Sequence, residues 1–236
     1  MFLFLKLVLG HLIADFILQF EELYRLKVKS RLGHGFHAGM HFICYVLLSV
    51  PYLGSPFIWI FISAVSIIHY LQDLLKYRLQ EENPKQIFWC FTVDQVFHFI
   101  FLTLILFFPI SREPRGFPGH PNLDFIYRSR AATFYAVAFI TATFKGSYLL
   151  HAFRHSFFKK TRPDHFITSL EVWHGILERG FVVSVFLFNI PSFALMIAWP
   201  AVAIVRAFSK KLRSLPDFFL SVLYASLVGI LFRSWR

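Results

Sequence analysis

Apolar residues run in long blocks along this chain, and polar residues gather between the blocks rather than alternating with them. A membrane-crossing helix needs about 20 mainly apolar residues. Eight blocks meet or approach that length: residues 2–20, 37–53, 57–76, 88–110, 131–152, 170–188, 191–208 and 216–234. Only a short break at Asn189 and Pro191 divides the sixth from the seventh, and Pro200 interrupts the seventh. That pair reads as two spans or as a broken or re-entrant hairpin. The expected fold is all-α, a polytopic integral membrane helical bundle. The connection 111–130, rich in Pro and Gly, divides it into a four-helix half (1–110) and a C-terminal helical half (131–236).

Composition agrees. Of 236 residues, 57% are hydrophobic and 16% charged, whereas a soluble domain carries roughly a quarter charged residues. Cys44 and Cys90 both lie inside apolar blocks, which excludes a Cys-based zinc finger or a disulfide framework. A net charge of +11 suggests nucleic acid, but the basic residues mostly sit between apolar blocks, as the positive-inside rule requires. No nucleic-acid partner is expected. The first connection carries Arg25, Lys27, Lys29 and Arg31, the third Arg78 and Lys85, the fifth Arg154, Lys159, Lys160 and Arg162, the seventh Lys210, Lys211 and Arg213. The second and sixth carry none; the fourth, with Arg112, Arg115, Arg128 and Arg130, is the exception. The odd connections are therefore expected on the cytoplasmic side, with both termini outside. The first block, holding His11 and Asp15, reads as a retained span, not a cleaved signal peptide.

Ionisable residues inside a membrane are costly and ask for a reason. Here they come in pairs: His11 and Asp15 on the first helix, His37 and His41 on the second, His69 and Asp73 on the third, Asp94 and His98 on the fourth. Each pair is spaced i, i+4, so both members share one helical face. At about 1.5 Å of rise per residue, all four pairs fall within about 15 Å of the expected cytoplasmic ends, at overlapping depths. Five imidazoles and three carboxylates at one level suit a divalent metal such as Zn, Mn or Fe. His11, Asp15, His37, His41, His69, Asp73 and His98 are the candidate ligands, and Asp94 the candidate general base or bridging ligand. Gln19, Gln72 and Gln95 lie near enough in sequence to orient them. The same residues also fit a hydrogen-bonded packing cluster or a proton or ion path.

The second half is sparser. His174, Glu178 and Arg179 lie together on the sixth helix, and Lys145 near the end of the fifth. Glu178 and Arg179 read either as partners of other buried charges or, with Lys145 and Lys76, as holders of an anionic headgroup. His151 and His155, beside Arg154, read as interfacial anchors. No serine-hydrolase elbow, phosphate-binding loop, dinucleotide turn or HExxH motif is present.

At His11, Asp15-Phe16, Gln19, His37, His41, His69, Asp73, Lys76, Asp94-Gln95 and His98, the chain resembles a bacterial inner-membrane family labelled domain of unknown function 3307. Gly175, Leu177, Glu178 and Arg179 match that family's Gly-x-Leu-Glu-Arg motif. A later Lys-Ser-x-x-Arg motif is kept only at Arg206, with Val202 and Ala203 where Lys and Ser are expected. The resemblance implies a multi-pass protein of the bacterial inner membrane and no established activity. A weaker similarity, resting on the His pairs and His-x-x-x-Asp, is to inner-membrane proteins described as metal-dependent hydrolases. Taken together, these readings lead to the expectation of metal-assisted hydrolysis of a membrane lipid or lipid-linked phosphate, protein partners being unspecified. The alternatives are a divalent-metal or proton transporter and a non-catalytic membrane scaffold.

Overall fold

The computed structural model describes residues 2–117, 119, 121–158, 170–188 and 215–235. Among them every regular element is helical. The chain order is α1 (Phe2–Leu12), α2 (Glu21–Lys29), α3 (Arg31–Leu48), α4 (Pro56–Glu82), α5 (Ile87–Thr103), α6 (Pro121–Arg128), α7 (Arg130–Ile140), α8 (Gly146–Phe158), α9 (Leu170–Leu187) and α10 (Leu215–Ser234).

The middle of the molecule is α1. Leu3, Leu7 and Leu12 are fully buried, packed with Tyr45 of α3, Ile58 and Ile62 of α4, and Leu102 of α5. Gly10 permits this closeness: a Cβ there would lie 3.2 Å from the Tyr45 ring. A π-helical turn, Ile13–Ile17, extends α1 and carries Asp15. A second π-turn, Thr141–Lys145, joins α7 to α8 and ends at Lys145. Such turns insert one residue into the helical ladder and are frequent at functional sites. Around the second turn, α9 and α10 pack through Val183, Leu187 and Val228 on one side and Val182, Val222 and Ala225 on the other.

Two expectations change here. Residues 21–36 were expected to be a connection. Instead the chain bends by 85° after Ile17 and forms α2, which runs into α3. Ser30 caps α3 by accepting from the Gly33 amide at 3.3 Å. The count of spans also differs. Among the described residues, Pro56–Glu82, Ile87–Phe107 and Pro216–Ser234 are long and apolar enough to cross a membrane, with Phe2–Ile17 plus Glu21–Lys29 a fourth if that bent pair is one span. The expected eight are not confirmed among the described residues, for identifiable reasons. His34, His37 and His41 dilute the apolarity of α3, the second π-turn divides α7 from α8, and Glu178 and Arg179 stand within α9. The expected seventh span, 191–208, the break at Asn189 and Pro191, the loop cations from Lys159 to Arg162 and from Lys210 to Arg213, and Arg206 lie outside the described residues.

The helices are polar inward and apolar outward. Ile60, Ile67, Leu71 and Leu75 are exposed along α4, Trp89, Val93, Phe97 and Ile100 along α5, and Phe219, Leu223, Leu227 and Ile230 along α10. Contiguous apolar faces of this extent are rare on soluble monomers.

Candidate metal centre

The i, i+4 pairs of α1, α3, α4 and α5 turn towards one another. His11, His37 and His41 are fully buried, and Asp15, His69, Asp73, Asp94 and His98 nearly so. Asp15 is the hub. His37 Nε2 and His41 Nε2 both donate to its Oδ1, at 3.0 and 3.2 Å, and Gln95 Nε2 donates to its Oδ2 at 2.8 Å. His11 Nε2 lies 3.5 Å from Oδ2, and His69 Nε2 lies 3.8 Å from Oδ1. The imidazoles crowd together: ring centroids are 3.7 Å apart for His41 and His69, 4.2 Å for His69 and His98, and 5.0 Å for His11 and His98.

One ligand atom from each of Asp15, His37, His41 and His69 falls within a set whose members all lie within 4.8 Å of one another. Three imidazoles and a carboxylate form a donor set of the kind Zn, Mn and Fe take. The fit is supported from a second direction. Both ring nitrogens of His69 and His11, and Nδ1 of His37 and His41, are buried without a hydrogen-bond partner. Buried polar atoms are ordinarily satisfied, and ligation is one way to satisfy a buried imidazole. His11 and His98 flank the group of four.

Asp73 and Asp94, expected as a ligand and a base, are engaged differently. Asp73 accepts from His34 Nδ1 at 2.8 Å and pairs with Lys27 at 2.8 Å and Lys76 at 2.6 Å. Lys76 continues to Asp94 at 3.2 Å, and Asp94 lies 3.1 Å from His98. A chain of alternating charge, Lys27–Asp73–Lys76–Asp94, thus runs beside the imidazoles and reaches them at His98. Each carboxylate has a cation against it, as burial in a low dielectric requires.

The remaining candidates are placed as follows. Lys145 extends over the Phe99 ring, 4.7 Å from its centroid, with Phe16 on its other side at 6.0 Å. Arg179 is buried and donates to the backbone oxygens of Ala142 and Thr143, at 2.9 and 3.0 Å, and to the hydroxyls of Ser147 and Ser221. It thereby fastens α9 and α10 to the second π-turn. Glu178 is buried, 3.9 Å from His174. Among the glutamines, Gln95 orients Asp15, while Gln19 accepts from Lys27 at 3.1 Å.

Sequence reasoning missed Lys27 and His34. Lys27 was counted as a connection charge, yet it is buried in α2. His34 carries a signal that was available: with His37 and His41 it makes an i, i+3, i+7 stripe, one face of a single helix.

No curated protein and no solved structure matches the chain. The similarity to metal-dependent hydrolases is therefore without a counterpart among them. The family match begins at residue 3 and ends at 114, short of the Gly175–Arg179 motif. It spans all eight residues of the His and Asp pairs, together with Lys27, His34 and Lys76. Residues 3–114 match the model of the family described as Protein of unknown function (DUF3307).

Proposed function

We propose that this chain is an integral protein of the bacterial inner membrane that holds a divalent metal, Zn, Mn or Fe, and hydrolyses a lipid or lipid-linked phosphate at it. One observation carries the reading: four ligand atoms from three helical segments, Asp15, His37, His41 and His69, lie within 4.8 Å of one another in a buried setting. The outward apolar faces of α4, α5 and α10 favour lipid as the surroundings. Basic residues in the odd connections favour a cytoplasmic position for the cluster.

When bound, a divalent metal lowers the pKa of a coordinated water towards neutrality. The residues of this chain supply the rest. Asp15, His37, His41 and His69 hold the metal, with His11 and His98 flanking them. Gln95, through its amide hydrogen bond to Asp15, fixes the carboxylate's direction. Asp94, 3.1 Å from His98, is placed to exchange a proton with that imidazole. Lys76 and Lys145 supply positive charge against a phosphate. Arg179 takes the supporting role of holding the second π-turn, and with it Lys145, in position.

The test is release of inorganic phosphate from phosphatidic acid in mixed micelles by purified protein reconstituted with each metal in turn. Activity that depends on metal and is abolished in His69→Ala and Asp15→Ala supports the reading. Metal bound with no phosphate released from any lipid phosphate ester would reject the hydrolase and leave a transport or packing role for the cluster.

A further inference from the structure

A cavity of about 110 Å3 abuts the metal centre. Its buried end is formed by Asp15 and Gln95, and its partly exposed end by Gln80, Ile87, His151 and His155. It is smaller than the pockets of about 300–1,000 Å3 that bury a drug-sized ligand, and suits a headgroup rather than a whole lipid.

The lining sets an ammonium group, phenols and imidazoles beside the side-chain amides of Gln19, Gln80 and Gln95 and one carboxylate. Lys76 contributes an ammonium group, and Tyr24, Tyr77 and Tyr148 contribute phenols. His151 and His155, four residues apart on α8, both face the cavity, and His155 Nδ1 is buried without a hydrogen-bond partner. The one carboxylate on this lining is Asp15, whose oxygens already accept from His37, His41 and Gln95. Ammonium, phenol and imidazole groups on one wall suit a ligand with several acceptor oxygens.

Charge counting narrows the ligand further. Around the cluster, Asp15, Asp73 and Asp94 balance Lys27, Lys76 and Lys145. A divalent cation added to that set leaves an excess of two positive charges, which a low-dielectric interior does not tolerate unneutralised. A dianionic oxyanion restores balance.

We propose that this cavity seats the phosphate group of the ligand, with His151 and His155 receiving its outer oxygens at the mouth. The charge argument rests on the metal reading; the ammonium, phenol and imidazole groups of the lining do not. The two residues that the sequence suggested were interfacial anchors become specificity-determining residues of the site.

The experiment titrates the purified full chain, of measured metal content, with inorganic phosphate and separately with short-chain phosphatidic acid, by calorimetry. His151→Gln and His155→Gln should each weaken binding about tenfold, the scale of one hydrogen bond to a charged group, with metal content unchanged. Arg78→Gln, on the outer side of α4 and paired only at the surface with Glu82, should leave affinity unchanged. Tighter binding of phosphatidic acid than of phosphate supports a lipid headgroup as the source; equal binding supports free phosphate. Unchanged affinity in both histidine variants, or an equal loss in Arg78→Gln, overturns the proposal. Should either glutamine variant fail to fold, maleimide labelling of His155→Cys decides: phosphate must slow it, and no protection overturns the assignment. Phosphate binding that depends on His155 in a wild-type protein that takes up no metal would keep this site and reject the metal reading.

Discussion

Lys76→Met tests the buried charge chain at its most exposed link to calculation. The Lys76 ammonium lies 2.6 Å from Asp73 and 3.2 Å from Asp94, and its side chain is 14% exposed. At an effective dielectric of about 20, each contact represents about 5–6 kcal/mol of Coulomb attraction. Desolvation of the three groups offsets most of this, so the net value of the triad is small. Removing one partner is different, because the carboxylates stay buried. Breaking a buried pair in this way typically costs about 3–5 kcal/mol. Asp73 retains Lys27 and His34; Asp94 retains His98 alone as a near neighbour of this kind, so the loss concentrates there. For a chain of this length that corresponds to a fall in Tm of roughly 6–20 °C, read by thermal unfolding in detergent. Adding Asp94→Asn removes the stranded charge, so the double variant should be less destabilised than the sum of the singles by about 0.5–3 kcal/mol. Arg78→Met, two residues along the same helix, breaks an ion pair whose side chains are 78% and 55% exposed and should cost less than about 1 kcal/mol. A Lys76→Met shift no larger than that of Arg78→Met would refute the argument that these charges are desolvated.

Gly33 is where α2 meets α3: a Cβ there would lie 2.3 Å from the Leu26 carbonyl carbon and 2.4 Å from the Lys27 nitrogen, both backbone. Gly33→Ala should therefore cost about 1–3 kcal/mol and displace Lys27, whereas Gly35→Ala and Gly39→Ala, with nothing within 4 Å, should stabilise by about 0.5–1 kcal/mol; thermal unfolding of the three variants checks the order. Asp73→Asn should lower Tm while leaving metal content near the wild-type value, because Asp73 is held by Lys27, Lys76 and His34; loss of metal would make it a ligand. Ser30→Cys, between α2 and α3, should resist membrane-impermeant thiol reagents added outside intact cells, and labelling there would invert the proposed topology.

Much of the site was legible in the sequence because helices convert spacing into direction. Four i, i+4 pairs on long apolar blocks converge in space, and the depth argument that aligned them rests only on the rise of a helix. What the spacing could not reveal was where the ladder is interrupted. The π-turn at Ile13–Ile17 and the 85° bend after it fold the first connection back against α4. That brings Lys27 to Asp73 and turns an apparent loop charge into a buried partner. Asp73 lies outside the group of four close ligand atoms, with Lys27, His34 and Lys76 against its oxygens. His151 and His155 illustrate the converse. At the end of an apolar block they match the pattern of interfacial anchors, and only the packing of α8 against α5 turns them towards a cavity that no linear pattern encodes.

The central claim is that Asp15, His37, His41 and His69 hold a metal. Elemental analysis of the detergent-purified wild type after reconstitution with Zn, Mn and Fe in turn, beside Asp15→Asn and His69→Ala, tests it most directly. The account predicts about one metal per chain in the wild type for at least one of the three, and its loss in both variants while Arg78→Gln retains it. A wild type that stays metal-free with all three metals, or variants that bind as much as it does, would contradict the claim.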